Sequence, residues 1–446
     1  VPYFGKMFYD NAELFRNYVH AFQASGTALF SEVILGILGY VTGTLMDQTG
    51  GGFYASQDAD ISLEDDGDYY TWTLDEATAI LPPDELDVVR LTYHLDGPGE
   101  MHHDPRRHVL FIDKDPDVVA ALRGRPVDEV RDLLARGRSR LLEARAARQT
   151  PFVDRTIYAG WNGMMSSAFF EAARGLGLPE ARTAALRATE RAVRDAYQPG
   201  QGFRHVVSAT GGVSGLLDDQ VHMARALLDA FEQTGEERYL RLAEETMEYV
   251  LAEFPNSEGA FYDVARGAAR ERNPIGLGLP YVPVQDAPTP AGNGVAVLVL
   301  DRVAALTGDT RYREAAERAL HACAPGNASH GLFTSTLSLA LDLHVDPPLH
   351  VVVIGPREDP RTRVLHRAAL ATYRPGTIVH VHDPARADGP RGGPAGSSLP
   401  PPVAATTDGA GEPRAYACTA TACAAPATDP DALRETIRTF GRATLA

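Results

Sequence analysis

Cysteine is scarce: Cys323, Cys418 and Cys423 are the three in 446 residues. Three are too few for a disulfide framework. The spacing of the last two is too wide for a Cys-x-x-Cys redox motif. Free or structural thiols in a reducing, cytoplasmic setting are therefore expected. Basic charge is also short, with 42 Lys and Arg against 59 Asp and Glu, a formal net charge of −17. That balance argues against nucleic acid and anionic membrane as main partners. No apolar run of membrane-spanning length is expected, because residues 33–45 are interrupted by Gly36, Gly39 and Gly43. The start has no basic segment followed by an apolar core, so no signal peptide is read, and a first residue of Val suggests a fragment. Metal-binding patterns are missing too. His102, His103 and His108 fit no standard zinc spacing, and residues 64–68 lack the ordered spacing of an EF-hand loop. Neither a metal nor a cofactor is expected.

What the chain does have is a stretch rich in glycine, aromatics and carboxylates, Gly51-Gly52-Phe53-Tyr54-Ala55-Ser56-Gln57-Asp58-Ala59-Asp60, running on to Tyr69–Trp72. Its opening is echoed at Gly202-Phe203, Gly259-Ala260-Phe261-Tyr262 and Gly331-Leu332-Phe333. Between the echoes lie amphipathic segments of helical period at residues 11–23, 28–46, 161–175, 180–198, 218–235, 237–253, 292–308 and 311–324. Residues 73–81 read as a short helix capped by Thr73 with Glu76 three positions on, and 127–148 as a charged one. Pairs of helices with a glycine-aromatic loop at one end predict an α/α toroid. An open α-solenoid is the alternative, but the irregular spacing of the echoes is poor for a tandem array.

The tail changes character near residue 344. Residues 349–354 and 377–382 read as strands around a helix at 362–373, a parallel βαβ unit. Residues 383–413 are rich in Pro, Gly and Ala and read as a loop. A further strand is expected at 414–418, and a last helix is capped by Asp429 with Pro430 at its first position. Gly355 alone is no dinucleotide fingerprint. The expected division is a toroid over 1–343 and a C-terminal α/β segment over 344–446.

Several motifs in one order resemble the DUF255 family, the spermatogenesis-associated protein 20-like thioredoxin domain-containing proteins. They are Val1–Asn11, Gly51–Asp60 with Tyr69–Trp72, Asp154 with Trp161-Asn162-Gly163, Pro290-Ala291-Gly292-Asn293-Gly294, and Cys418 with Cys423-Ala424-Ala425-Pro426. The resemblance implies a six-hairpin toroid, similar to glycosidases and N-acylglucosamine 2-epimerases, preceded by a thioredoxin-like domain. That domain and the toroid's first helices are expected to be missing here. Tyr3 and Gly5 stand where the family has His and Glu, and Arg155 and Thr156 where it has Asp and Lys.

The candidate acids and bases are Asp58 and Asp60, which share a face if extended, and Asp218 and Asp219. Opposed across a cavity they would make a glycosidase-like pair. The plainer reading has the first two holding their own loop and the second two capping a helix. Candidate ligand contacts are Tyr54, Gln57, Trp72, Asp154, Trp161, Asn162, His205, His222 and Asn293. Trp161 can stack on a sugar ring or fill the core, and Asn293 can cap its helix instead. His205 and His222 are candidate proton carriers. The expected function is binding of a sugar-like ligand in a central cavity, with acid/base hydrolysis or epimerisation. The alternative is a non-catalytic scaffold for a thioredoxin-like domain with a degenerate cavity. A thiol-redox role would need Cys418 and Cys423 close together and exposed.

Overall fold

The computed structural model describes residues 3–63, 65, 67–208, 212–267, 281–384, 412–419 and 421–441. Parts of the opening motif, the acidic turn, the Pro/Gly-rich crossing and the C-terminal loop therefore lie outside the described residues. The first half of the chain runs β1 (Lys6–Met7), α1 (Phe8–Ser25), α2 (Ala28–Tyr40), β2 (Ser56–Gln57), β3 (Trp72–Thr73), α3 (Leu74–Ile80), α4 (Pro83–Thr92), β4 (Arg107–His108), α5 (Pro116–Arg123), α6 (Val127–Ala146), β5 (Val153–Asp154), α7 (Ala159–Leu176) and α8 (Pro179–Asp195). There follow β6 (Tyr197–Gln198), β7 (Gly202–Phe203), α9 (Leu217–Thr234), α10 (Glu237–Glu253), α11 (Gly292–Thr307), α12 (Thr310–His330), α13 (Ser335–Val345), β8 (His350–Ile354), α14 (Pro360–Ala371), β9 (Ile378–His382), β10 (Arg414–Cys418) and α15 (Pro430–Thr439). The fold is mainly α.

Packing divides the chain into two compact units, but not at residue 343. One is Val1–Met7 with Ser56–Arg155; the other is Phe8–Ala55 with Thr156–Ala446, which includes the C-terminal α/β segment. The first unit has its own core. Trp72, Val88, Val89, Val130, Leu133 and Leu141 pack together from β3, α4 and α6. Thr73 caps α3 in a full capping box with Glu76, as expected. Helix α5 has no counterpart in the sequence reading, and strand β4 is limited to Arg107–His108. In this unit β2 lies between β1 and β5, antiparallel to both, with Ser56 opposite Asp154.

The second unit is a row of helical hairpins of α/α-toroid type. Helices α1, α7, α9, α11 and α13 pack in succession along its inner side, and α2, α8, α10 and α12 each back the inner helix they follow or precede. The two end members, α1 and α13, do not pack on each other as neighbours do, so the described helices trace an arc. Phenylalanines fill it: Phe8, Phe53 and Phe169 meet with ring centroids 5.2 and 5.6 Å apart, and Phe203, Phe231 and Phe261 are buried. Between α7 and α9 the backbones nearly touch. A Cβ on Gly163 would lie 2.6 Å from the His222 carbonyl carbon and oxygen.

The glycine-aromatic echoes are held by one repeated device. The Asn162 side chain on α7 accepts from Phe53 N–H (2.8 Å) and donates to Phe53 C=O (3.0 Å). On α9, Gln220 does the same to Phe203 (2.7 and 2.8 Å). Asn293 on α11 does it to Phe261 (2.8 and 2.9 Å). The last echo departs from the pattern: Gly331–Thr334 is a 3₁₀ turn with Phe333 exposed.

The helix read at 28–46 is present, running through Gly36 and Gly39 into a π-helical turn at Val41–Leu45; the expectation that its glycines keep the apolar run below membrane-spanning length is corrected. By length and composition Ala28–Leu45 is long and apolar enough to cross a membrane, and it exposes Leu29 and Leu35. In the C-terminal segment β8 pairs parallel with β9 and antiparallel with β10. The βαβ reading holds, and Asp429 caps α15 as expected. The cysteine reading does not hold: Cys418 and Cys423 are joined as a disulfide, with Cys418 buried, because an isolated bridge brings the two backbones 4.0 Å apart at Cα.

Gly163→Ala should destabilise the protein by about 1–3 kcal/mol, the usual cost of overpacking a tight contact. Gly36→Ala, whose Cβ would meet nothing within 4 Å, should instead be neutral or stabilising by about 0.5–1 kcal/mol. Urea unfolding of both variants checks this; equal effects would contradict the close approach.

Candidate functional site

The amino ends of α7 and α9, with segments that precede α9 and α11, line a cavity of about 220 Å³ in the second unit. Trp161, His205, Asp218, Asp219, His222 and Asp263 are among its lining residues, with Gly160, Tyr281 and Pro283. Each arrives by local rules. The clamp on Phe203 fixes the loop that carries His205 two residues later. The clamp on Phe261 similarly fixes Asp263. Asp218 and Asp219 sit in the first turn of α9, whose N-cap is Leu216 and has no side-chain cap.

The capping reading of these two aspartates is therefore set aside. Asp219 reaches across to the next helix, where its Oδ1 accepts from Gly160 N–H (2.9 Å) in the first turn of α7. It also meets His205 Nδ1, at 3.0 Å from Oδ2 and 3.2 Å from Oδ1. Such an acceptor fixes which imidazole nitrogen carries the proton. Asp218 accepts no hydrogen bond among the described residues. It is open to the cavity, yet walled by protein on its other sides. That partial desolvation, with Asp219 and Asp263 as like charges, pushes its pKa up to about 7 against the opposing pull of His205. Asp263 is also raised, by burial, although its Oδ1 accepts from Tyr281 N–H at 3.1 Å.

His222 is fully buried, and neither ring nitrogen has a hydrogen-bond partner of normal geometry among the described residues. Burial, with Arg225 and Arg16 adding to it, holds it neutral with a pKa down to about 3; the Pro290 backbone opposes this. Aromatic rings gather around Trp161 and His205. Trp161 contacts Tyr9 and Tyr158 edge-on at 4.9 and 4.7 Å, and Tyr158 lies 4.7 Å from His205. Among the described residues no group of three or more His, Cys, Asp or Glu is arranged to hold a metal ion.

The structure thus brings together Trp161, His205, Asp218, Asp219 and His222. Asn162 and Asn293 are not part of this lining. Beyond their clamps, they donate to the Tyr158 and Pro283 carbonyls (2.9 and 3.0 Å), so both amides are engaged by backbone. Tyr54 is held on the Phe53 loop, its N–H donating to Leu45 C=O. Asp58, Asp60, Gln57, Trp72 and Asp154 belong to the other unit. There Asp60 accepts from Gly67 N–H (3.0 Å), the loop-holding role. Gln57 accepts from the Tyr70 hydroxyl (3.2 Å), and Trp72 is buried beneath Arg148, 3.9 Å from its ring. Asp58 is exposed, and Asp154 sits in strand β5 opposite Ser56. Sequence reasoning missed Asp263 and Tyr281. The signal for Asp263 is its place just after the echo Gly259-Ala260-Phe261-Tyr262.

Helical hairpins of α/α-toroid type around an acidic cavity at the helix amino ends define the class of protein. No protein-family model matches the chain. It is 28% identical over 470 residues to spermatogenesis-associated protein 20 of Homo sapiens, across 98% of this chain and 58% of that protein. It is 27% identical over 417 residues to the protein of the same name in Mus musculus, covering 86% of this chain and 52% of that one. The chain is similar to these proteins named spermatogenesis-associated protein 20, and spans little more than half their length. Among solved structures, D-mannose isomerase is similar with a TM-score of 0.40 and 12% identity, over 76% of this chain and 60% of that one.

The two perturbed groups give the cavity opposite pH responses. Asp218 has a folded pKa near 7 against an ordinary 3.8. Between those values the unfolded chain has released a proton that the folded chain retains, so this group's contribution falls as pH rises. His222 goes from an ordinary 6.5 to about 3, so its contribution falls as pH drops below 6.5. Asp218→Asn should therefore gain stability relative to wild type as pH rises from about 4 to about 7, then level off. Urea unfolding across pH measures the difference; a constant offset would contradict the assignment.

Proposed function

We propose that the second unit binds a sugar-like polyol in this cavity and moves protons on it by acid/base chemistry, as in epimerisation or hydrolysis. The observation that carries the reading is the unequal pair Asp218 and Asp219. One carboxyl is engaged by His205 and a helix N–H, and its neighbour is left open with a pKa near 7. Neighbouring titratable groups whose environments push them apart divide into acid and base roles. Asp218 would exchange a proton with substrate at neutral pH, and His205, oriented by Asp219, would serve the opposite face. His222 would accept or donate one hydrogen bond to a hydroxyl. Trp161 would stack on the apolar face of the ring. A volume of about 220 Å³ lies below the usual ligand-pocket range, which favours a single small ring over an oligosaccharide. Asp58 and Asp60 have no part in this mechanism.

The test is a panel of monosaccharides and polyols with the whole chain, read by ligand-observed NMR and by solvent-deuterium incorporation at substrate carbon. At least one sugar should bind and exchange. Asp218→Asn should retain binding but lose exchange by about 10²–10⁴-fold, the usual worth of a general acid or base. Absence of binding across the panel would refute the reading, and full exchange in the variant would refute the role of Asp218.

A further inference from the structure

A second and larger concavity, about 940 Å³, lies within the same unit. It opens between the α7–α8 and α9–α10 turns on one side and α14 with the end of β9 on the other. Although the chain carries a net charge of −17, this groove is strongly basic. Arg174, Arg182, Arg357, Arg363 and Arg367 line it, against Glu236 and Glu358. Those two carboxylates are already engaged, Glu236 by Arg238 and Glu358 by Arg363. Arg174 faces Glu232 at 3.6 Å. The guanidinium groups of Arg182, Arg357 and Arg367 pair with no carboxylate among the described residues, although the Arg357 backbone N–H donates to Asp383 Oδ2 at 3.0 Å. Like charges gathered without counter-charges are destabilising unless something anionic offsets them.

Two buried groups point to what that is. Thr362, on the first turn of α14 and 1% exposed, presents a hydroxyl with no hydrogen-bond partner, and the Nε of Arg357 is likewise buried and unpartnered. Both line the groove. Buried polar groups are seldom left unmade, and here both donate. Arg357 follows strand β8 and Val381 lies in the parallel strand β9, so the groove sits at the carboxyl ends of these strands, where open α/β sheets bind ligands. His366 adds a neutral imidazole whose Nε2 donates to Glu232 C=O at 2.7 Å. The remaining wall is apolar, from Leu176, Leu178, Leu370 and Ala371. A basic floor that fits oxyanions bidentately beside an apolar wall suits an organic phosphate.

We propose that this groove binds a phosphate-bearing small molecule, its phosphate held by Arg182, Arg357 and Arg367 with the Thr362 hydroxyl. The site is separate from the acidic cavity and does not depend on it. Titration calorimetry on the whole chain would use inorganic phosphate, glucose 6-phosphate and ATP as probes, with glucose and adenosine as uncharged controls. At least one phosphate probe should bind, more weakly as salt rises, and the uncharged controls should not compete with it. The double variant Arg182→Ala/Arg367→Ala should weaken that binding by about tenfold or more with its ligand-free melting temperature unchanged or raised. Asp218→Asn should bind the probe as wild type does. Failure of all three phosphate probes to bind, or undiminished binding by the double variant, would overturn the proposal.

Discussion

The hairpin unit depends on a carboxamide used as a two-way clamp. Asn162, Gln220 and Asn293 each accept from the N–H and donate to the C=O of one phenylalanine in a glycine-aromatic loop. Those phenylalanines are buried, so their backbone groups cannot turn to water. An unmade buried hydrogen bond costs about 1–3 kcal/mol, and each clamp satisfies two at once. Only a side chain with an acceptor and donors on one plane can do this. The clamp also sets position: it ties the loop before a hairpin to the helix after it, at the end of the helix where the acidic cavity lies.

The opposite ends of the same inner helices are tied differently. Arg16 on α1, Glu171 on α7 and Arg225 on α9 form one buried ionic group. Arg302 on α11 bonds both Asp229 and Glu232 of α9, at 2.8 and 2.6 Å. Burial alone would raise Glu171, but Arg16, His20 and Arg225 together hold it well below the usual carboxylate range. Glu232 reaches further and accepts from Val379 N–H of β9 at 3.2 Å. That bond ties the C-terminal sheet to the hairpins, which is why the tail packs as part of this unit. Buried charges of this kind are retained only when mutually satisfied. The unit therefore has a charge-balanced ionic network at one end, although Arg16 Nε and Asp229 Oδ2 lack a hydrogen bond there, and at the other a cavity whose carboxylates have no cationic Arg or Lys against them; chemistry is assigned to the latter.

Much of this was legible in the sequence. Helical period placed nearly every hairpin helix, and the strand–helix–strand pattern placed the parallel pair β8 and β9. The opening stretch and two of its three glycine-aromatic echoes do occupy equivalent places. What was not legible is pairing at a distance. The clamp partners are 109, 17 and 32 residues from their phenylalanines, and nothing local marks Asn162 as a clamp rather than a ligand contact. Aspartate at a helix start is ordinarily a cap, so Asp219 reads as one until the neighbouring helix is in place. The change of composition near residue 344 suggested a boundary. The true division follows Trp72 and its neighbours, which bury a core of their own between residues 56 and 155. The disulfide escaped notice because it depends on a backbone bridge rather than on a cysteine pattern.

Hydrogen exchange resolved to single amides tests the clamp most directly. The N–H groups of Phe53 and Phe261 lie in loops and that of Phe203 in the two-residue strand β7, places where exchange is ordinarily fast. If the clamps hold the unit together, all three exchange as slowly as the interior of α7. Exchange at the rate of the exposed Leu63 amide would contradict the account.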